Sequence, residues 1–373
     1  MSTTPPPSAG DSVGMLYGGD EAGLICGYLF HGSPGAPVRA LGSAEAATWL
    51  AQAAEAHDAD VPATAAAVEA DADADPEAPI PFLWLHFNLS NAHAQRWLER
   101  HAALPESFYE GLKQGSHSTR IERDEDTLIA VINDVHFDFS FDGSDIATLW
   151  ISVGPYLVVT ARGKPLRSVD ALRTAMRQGH APRSSTALLE QLMRKQADAL
   201  VDIVRGVTAR IDAVEDELLL GRLHPKRARL GALRRLLVRL QRLLAPEPAA
   251  LFRLLQRPPA WMAEVDVQEL REATEEFSVV LRDMTSLQER TKLLQEEIAA
   301  NVNEDNNRSL FVLTVVTVLA LPINIIAGLF GMNVGGVPLA EHHHGFWIVV
   351  SIVVIFTCVA GFLAFRKNDQ DRD

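Results

Sequence analysis

Cysteine is scarce in this chain: two occur in 373 residues, Cys26 and Cys358. One lies in what reads as a soluble part and the other inside an apolar run, so no disulfide framework holds the fold. Cationic residues are also in deficit, 34 Lys and Arg against 48 Asp and Glu, a net charge of −14. A nucleic-acid partner needs a basic face, so this balance argues against that class. An acidic body suits the attraction of cations, and it suits plain solubility equally. Among the common catalytic motifs, HExxH, GxxxxGK[ST] and CxxC are missing. Nothing marks an enzyme, and no cofactor is expected. The N-terminus, MSTTPPPSAGDSVG, has neither a basic stretch nor an apolar core, so it does not read as a secretory signal.

Charge is absent altogether from two stretches near the C-terminus. Residues 310–330 read LFVLTVVTVLALPINIIAGLF, and residues 346–365 read FWIVVSIVVIFTCVAGFLAF. At 1.5 Å per helical residue, either can cross a hydrocarbon core of ~30 Å. Uncharged runs of this length seldom occur in soluble cores, so both read as membrane spans. The segment between them, residues 331–345, contains no Lys or Arg, whereas Arg308 precedes the first run and Arg366 and Lys367 follow the second. The positive-inside bias places both termini and the tail 366–373 in the cytoplasm and the short loop outside, in a multi-pass inner (plasma) membrane protein of bacterial type.

The remaining residues sort into three regions. Residues 1–180 read as an α/β cytoplasmic domain, with β-rich runs at 24–30, 82–87, 127–137, 146–153 and 156–161, and helical patterns near 92–101 and 169–178. A low-complexity acidic insert spans 57–81. Its Asp71, Asp73 and Asp75 read as metal contacts or, more simply, as a solvated charge run. Residues 185–257 read as a helix hairpin. An acidic arm carries Asp198, Asp202, Asp212, Glu215, Asp216 and Glu217, and a basic arm reads KRARLGALRRLLVRLQRLL. Matched charges across the hairpin are the expectation, with the basic arm lying on anionic lipid as the alternative.

Glycine and proline are both missing from Ala260 to Leu321. This predicts an unbroken helix of roughly 60 residues, ~90 Å long, in which residues 260–309 form a stalk leading into the first span. So long a helix is expected to need copies of itself to bury its apolar face, and hence a bundle around an axis. Counting back from Gly331 in sevens gives Asn324, Thr317, Leu310, Asn303, Glu296 and Glu289. The intervening turns add Leu313, Leu321, Gly328, Asn306 and Asn307. A strip of amides and hydroxyls with leucine constrictions is how a water-filled ion path is lined. In the alternative, Thr317 satisfies a backbone carbonyl and Asn324 pairs with a neighbouring helix. No carboxylate lies on the strip within the membrane, so it suits a hydrated divalent ion held through its waters.

The tripeptide Gly331–Met332–Asn333, placed directly after a first C-terminal span and before a second, resembles the CorA family of divalent-cation transporters. The continuation GMNVGGVPL…HGFW is similar to the zinc-transporting ZntB branch of that family, and no acidic residue follows GMN before Glu341. The resemblance implies a funnel-shaped homopentamer in which the first spans line one pore and Gly331, Met332 and Asn333 shape its outer mouth. It implies zinc uptake and admits coupling to protons. The imidazoles of His342, His343 and His344, beside Glu341, suit zinc better than magnesium; a solvated loop is the plainer reading. Transport of magnesium or cobalt by the same architecture, and a membrane-anchored sensory or scaffold protein, are the competing functions.

Overall fold

The computed structural model describes residues 19–32, 38–58, 80–115, 119–141, 145–220, 226–332 and 343–370. They fall into two compact units, Met1–Leu293 and Leu294–Asp373. The first begins with β1 (Leu24–Phe30), β2 (Arg39–Leu41), α1 (Ser43–Asp58), β3 (Phe82–Asn88), α2 (Ala94–His101) and α3 (Glu106–Gln114). It continues through β4 (Arg120–Asp124), β5 (Thr127–Val135), β6 (Ile146–Val153), β7 (Leu157–Arg162) and α4 (Arg167–Arg177). Three helices follow: α5 (Ser185–Leu219), α6 (Lys226–Leu244) and α7 (Pro246–Leu254). The last two are α8 (Glu264–Phe330) and α9 (Gly345–Gln370).

The seven strands form one sheet in the order β2-β1-β3-β7-β6-β5-β4, in which only β3 and β7 pair in parallel. β3 and β5 are buried on both faces over nearly their whole length, so they read as continuous apolar runs. The edges are blunted. β2 has three residues, and β4 is the charged sequence RIERD. This is why sequence patterning finds the five inner strands and misses these two. Gly27 lets β2 approach β1: a Cβ there would meet the Leu41 carbonyl oxygen at 2.7 Å. The core is aromatic, with Phe30 stacked on Phe82 at 4.7 Å and Trp84 fully buried. The Trp84 indole N–H donates to the Thr160 hydroxyl at 2.9 Å.

Beyond the sheet, α5 and α8 run side by side. Ion pairs join Arg183 to Asp266, Arg194 to Glu276 and Arg290 to Asp212. Positions rise together on both helices, so the two run parallel. Ser184 caps α5, its hydroxyl accepting from the Ala187 N–H at 2.9 Å. α6 returns antiparallel to α5, and its Gln241 amide donates to the Thr285 hydroxyl of α8 at 2.7 Å.

α8 has a buried seam: Leu270, Ala273, Thr274, Phe277, Val280, Leu281, Met284, Leu287 and Thr291. The spacing alternates near three and four, as in a coiled coil. This corrects the argument that the stalk needs copies of itself to cover its apolar face, because α5 and α6 of the same subunit flank it. Within the acidic arm of the α5–α6 hairpin, Asp212 and Glu215 are held by Arg290 of α8.

A buried polar cluster ties sheet to helices. Glu247 of α7 is fully buried and accepts from the Asn133 backbone N–H at 2.8 Å and from the Gln196 amide at 2.9 Å. Next to Asn133, Asp134 accepts from the backbone N–H groups of Val135 and Ser168 and from the Ser168 hydroxyl. Burial pushes the Asp134 carboxyl up to about 6 against these donors, and burial raises Glu247 well above the usual carboxylate range. A carboxyl raised on folding stabilises fully below its unfolded pKa of ~3.9, and the contribution is lost as pH rises through the folded value. Melting of the full chain in detergent is therefore expected to move to lower temperature as pH rises from ~3.9 to about 6, with Glu247 adding a decline that starts in the same range and continues above it. In Asp134→Asn the decline below about pH 6 is expected to become shallower, while the part due to Glu247 persists. An unchanged slope between those pH values in the variant refutes the assignment.

Candidate ion pathway

The second unit holds the apolar part of α8 and all of α9, the two helices long and apolar enough to cross a membrane. α8 continues through Pro322 to Phe330, and proline, having no N–H, leaves the Val318 carbonyl without its usual amide donor. Gly331 then ends the helix, its N–H bonded to the Ala327 carbonyl at 2.9 Å. A Cβ on Gly331 would lie 3.1 Å from that same oxygen, tight enough that the turn must give.

Within this unit the first apolar run has two unlike faces. Val315 is buried, Phe311, Leu319, Pro322 and Ile326 are partly covered, and Gly361 of α9 approaches the Leu319 side chain. At roughly 100° per residue, Leu310, Leu313, Thr317, Leu321, Asn324, Gly328 and Gly331 cluster on the opposite side. All seven are exposed in the single subunit, and so are Glu296, Asn303, Asn306 and Asn307. Glu289, in the first unit, is exposed with Lys292 at 4.0 Å.

The polar members of the strip differ in what they bond. The Thr317 hydroxyl donates to the Leu313 carbonyl at 2.8 Å, so that side chain is satisfied within its own helix, as the plainer reading of it holds. Asn324 makes no side-chain hydrogen bond among the described residues. In hydrocarbon, an amide without a partner costs several kcal/mol, about 4–8 on transfer from water to cyclohexane. A membrane-embedded Asn324 therefore demands water or another protein chain.

The outer loop is seen only at its ends. Met332 is exposed; Asn333, Glu341 and His342 lie outside the described residues. His343 and His344 are exposed, with ring centroids 5.4 Å apart, and the His344 carbonyl accepts the Ile348 N–H at 3.1 Å at the start of α9. Asp71, Asp73 and Asp75 also lie outside the described residues. Among the described residues no group of three or more His, Cys, Asp or Glu side chains is placed to hold a metal ion.

A second polar constellation has no precedent in the sequence reasoning. Cys26, His86 and Thr160 sit side by side across β1, β3 and β7. His86 is fully buried, bonded to the Thr160 hydroxyl at 2.8 Å and receiving the Arg162 guanidinium at 3.1 Å. Burial first, and then Arg162 and Arg173, push His86 well below the usual imidazole range. Burial likewise pushes the Cys26 thiol up to about 12, which disfavours its thiolate form. The only sequence signal was a histidine within the apolar run FLWLHF.

Comparison with known proteins places the chain. The family described as CorA-like Mg2+ transporter protein matches residues 81–367. The chain belongs to that family. Among relatives of this CorA-like chain, the divalent cation transporter CmaX of Pseudomonas aeruginosa is 27% identical over 273 residues, 73% of this chain and 82% of the relative. The zinc transport protein ZntB of Yersinia enterocolitica is 26% identical over 285 residues, 76% of this chain and 87% of the relative. The solved full-length CmaX structure superposes with a TM-score of 0.71 at 26% identity, covering 94% of this chain and 99% of that one. The CorA magnesium transporter of Methanocaldococcus jannaschii shares the fold, with a TM-score of 0.65 at 18% identity over 79% of this chain and 92% of that one. The expected architecture of α/β domain, long helix and two apolar C-terminal helices stands, in a membrane protein.

Single cysteines at Thr317 and Asn324, in a Cys358→Ser background, check the strip. Both are expected to crosslink between subunits and to react with water-soluble thiol reagents in native membranes. Protection of both positions removes the strip from any aqueous path.

Proposed function

We propose that this chain is a divalent-cation transporter that takes up zinc through the central pore of a homopentamer. The carrying observation is the exposed amide of Asn324 on the helix face opposite α9. Five copies around an axis give that amide the water it needs and turn the strip into a pore wall. In this reading residues 1–180 and 185–257 are cytoplasmic, 260–309 form the stalk, 310–330 line the pore, 331–345 form the outer mouth and 346–365 face lipid. Both termini are cytoplasmic.

Leu310, Leu313 and Leu321 narrow the path, Thr317 and Asn324 wet it, and Gly328 leaves room. Glu289, Glu296, Asn303, Asn306 and Asn307 concentrate cations where the path meets the cytoplasm. At the outer mouth, five Asn333 amides and Gly331 carbonyls contact the waters of a hydrated ion, with Met332 beside them. Neutral donors hold such an ion weakly, which permits release as well as entry. Zinc is favoured by the relatives named zinc transport proteins and by the imidazoles of His342, His343 and His344 with Glu341. Proton coupling is part of the proposal, and protons are the second ion to be followed. The family's magnesium description makes magnesium the competing substrate.

Uptake of radioactive zinc into proteoliposomes holding only this protein tests the reading, with and without a pH gradient. Zinc entry that a gradient accelerates is the expected result; magnesium entry alone gives the site to magnesium, and no flux removes transport. Asn333→Ala is expected to assemble normally and to slow uptake at least about tenfold, the equivalent of ~1.4 kcal/mol. Normal uptake by an assembled variant would eliminate the outer-mouth assignment.

The histidines give a separate outcome. Only neutral imidazole ligates, so capture by His342, His343 and His344 weakens when the rings are protonated, opposite in sign to proton-driven uptake. Replacing all three with Gln is expected to raise the zinc concentration for half-maximal uptake and to leave magnesium unaffected. An unchanged zinc dependence in the Gln variant would show the triplet to be a loop.

A further inference from the structure

α2 presents a face that the packing of the first unit does not use. At roughly 100° per residue, His93, Arg96, Trp97, Arg100 and His101 fall within a sector of about 140°, while Ala94 and Leu98 on the adjoining side are buried. Arg96 and Arg100 are exposed and one turn apart, and among the described residues neither enters an ion pair or a hydrogen bond. The one acid of this helix, Glu99, lies off the face and accepts from the Gln95 amide at 2.8 Å. The face lines a groove of about 680 Å³, whose other wall includes Glu21 and Ser43. Sites for small molecules run from ~300 to ~1,000 Å³.

Both walls of the groove are braced. Phe87 of β3 backs the Trp97 indole with ring centroids 5.1 Å apart, and the His101 ring stands beside the indole, also at 5.1 Å. The two rings form a shelf whose rear is packed on the sheet. The Asn91 side-chain amide donates to the Asp20 and Glu21 carbonyls at 3.4 and 3.5 Å, which ties the turn before β1 to the start of α2. Nearby acids are engaged elsewhere. The Asp20 carboxylate accepts from the backbone N–H groups of Ala22, Leu24 and Ser43, and Glu45 is paired with Arg39. Among the described lining residues Glu21 is the only carboxylate.

We propose that this groove binds a nucleoside diphosphate, its base on the Trp97–His101 shelf and its phosphoryl groups on Arg96 and Arg100. Guanidiniums one helical turn apart each offer paired N–H donors, one set for each phosphoryl group. A flat base suits an aromatic shelf that is already held in place, because little side-chain freedom is lost on stacking. Glu21 repels a bare polyanion and offers an acceptor to sugar hydroxyls. A nucleotide supplies ring, hydroxyls and anion together; inorganic phosphate supplies only the last, and an uncharged aromatic compound only the first. Every residue of the site belongs to the first unit, so the inference is independent of what the chain transports.

The test uses the full-length protein in detergent at ~0.15 M salt, where exposed charges are screened beyond ~8 Å, with EDTA to remove divalent cations. Titration calorimetry with ADP, adenosine and pyrophosphate reads the parts of the ligand separately. ADP is expected to saturate one site per subunit and to bind more tightly than either fragment. Arg96→Gln/Arg100→Gln, two exposed positions, should weaken ADP at least about tenfold and abolish pyrophosphate binding. Trp97→Leu should weaken ADP about tenfold and leave pyrophosphate unchanged. Trp97→Phe, which keeps a ring against Phe87, should recover most of the affinity and so separates stacking from loss of the fold. Absence of ADP binding up to ~1 mM overturns the proposal, as does an affinity unchanged in the double arginine variant. Pyrophosphate bound as tightly as ADP also overturns it, and leaves the arginines a plain anion patch.

Discussion

A helix in hydrocarbon satisfies its own backbone but cannot satisfy a polar side chain that points away from it. Asn324 imposes that constraint here. Thr317 meets it by bonding back to Leu313, an arrangement open to a hydroxyl one turn from a carbonyl. The amide of Asn324 has no such recourse, and α9 covers the opposite face. Exposed leucines alternate with the polar positions on the same strip, and no lipid-facing helix needs that alternation. The subunit is chemically incomplete at this face, and everything proposed about assembly and passage follows from completing it.

The soluble unit is complete in a way the membrane unit is not. The sheet is buried on both faces at its centre and charged at its edge, and the α8 seam is flanked by α5 and α6. Here the composition misleads. A helix of 67 residues looks, from its length, as though it must find copies of itself. The structure supplies a local solution through the three arginines that hold α5 and α8 in parallel. In the proposed assembly, association comes from the polar strip rather than from a hydrophobic surplus along the stalk.

Legibility in the sequence followed the physics of each element. The uncharged runs and the tripeptide after the first run were plain, because a bilayer tolerates so few alternatives. Buried inner strands announced themselves as apolar runs. The charged edge strand β4 and the three-residue β2 did not, since their place is decided by backbone pairing and not by side-chain burial. The short α7 was hidden for a related reason: its value lies in Glu247, and a carboxylate destined for the core reads like any surface acid. In hindsight the polar pair Asn133–Asp134 inside TLIAVINDV was the visible trace of that cluster. The pairing of Arg290 with Asp212 and Glu215 could not be read in advance, because charge patterning names the signs on each helix but not its neighbour.

The order of elements along the chain has a consequence for biosynthesis. The hairpin that flanks the α8 seam, α5 and α6, is made before α8 leaves the ribosome. At ~5–20 residues per second, domains emerge and fold from the N-terminus onward. Phe277, Met284 and their companions therefore meet a ready partner as they appear, instead of waiting for a neighbouring chain. The apolar runs follow, so the nascent chain presents sticky surface only after its first unit has closed.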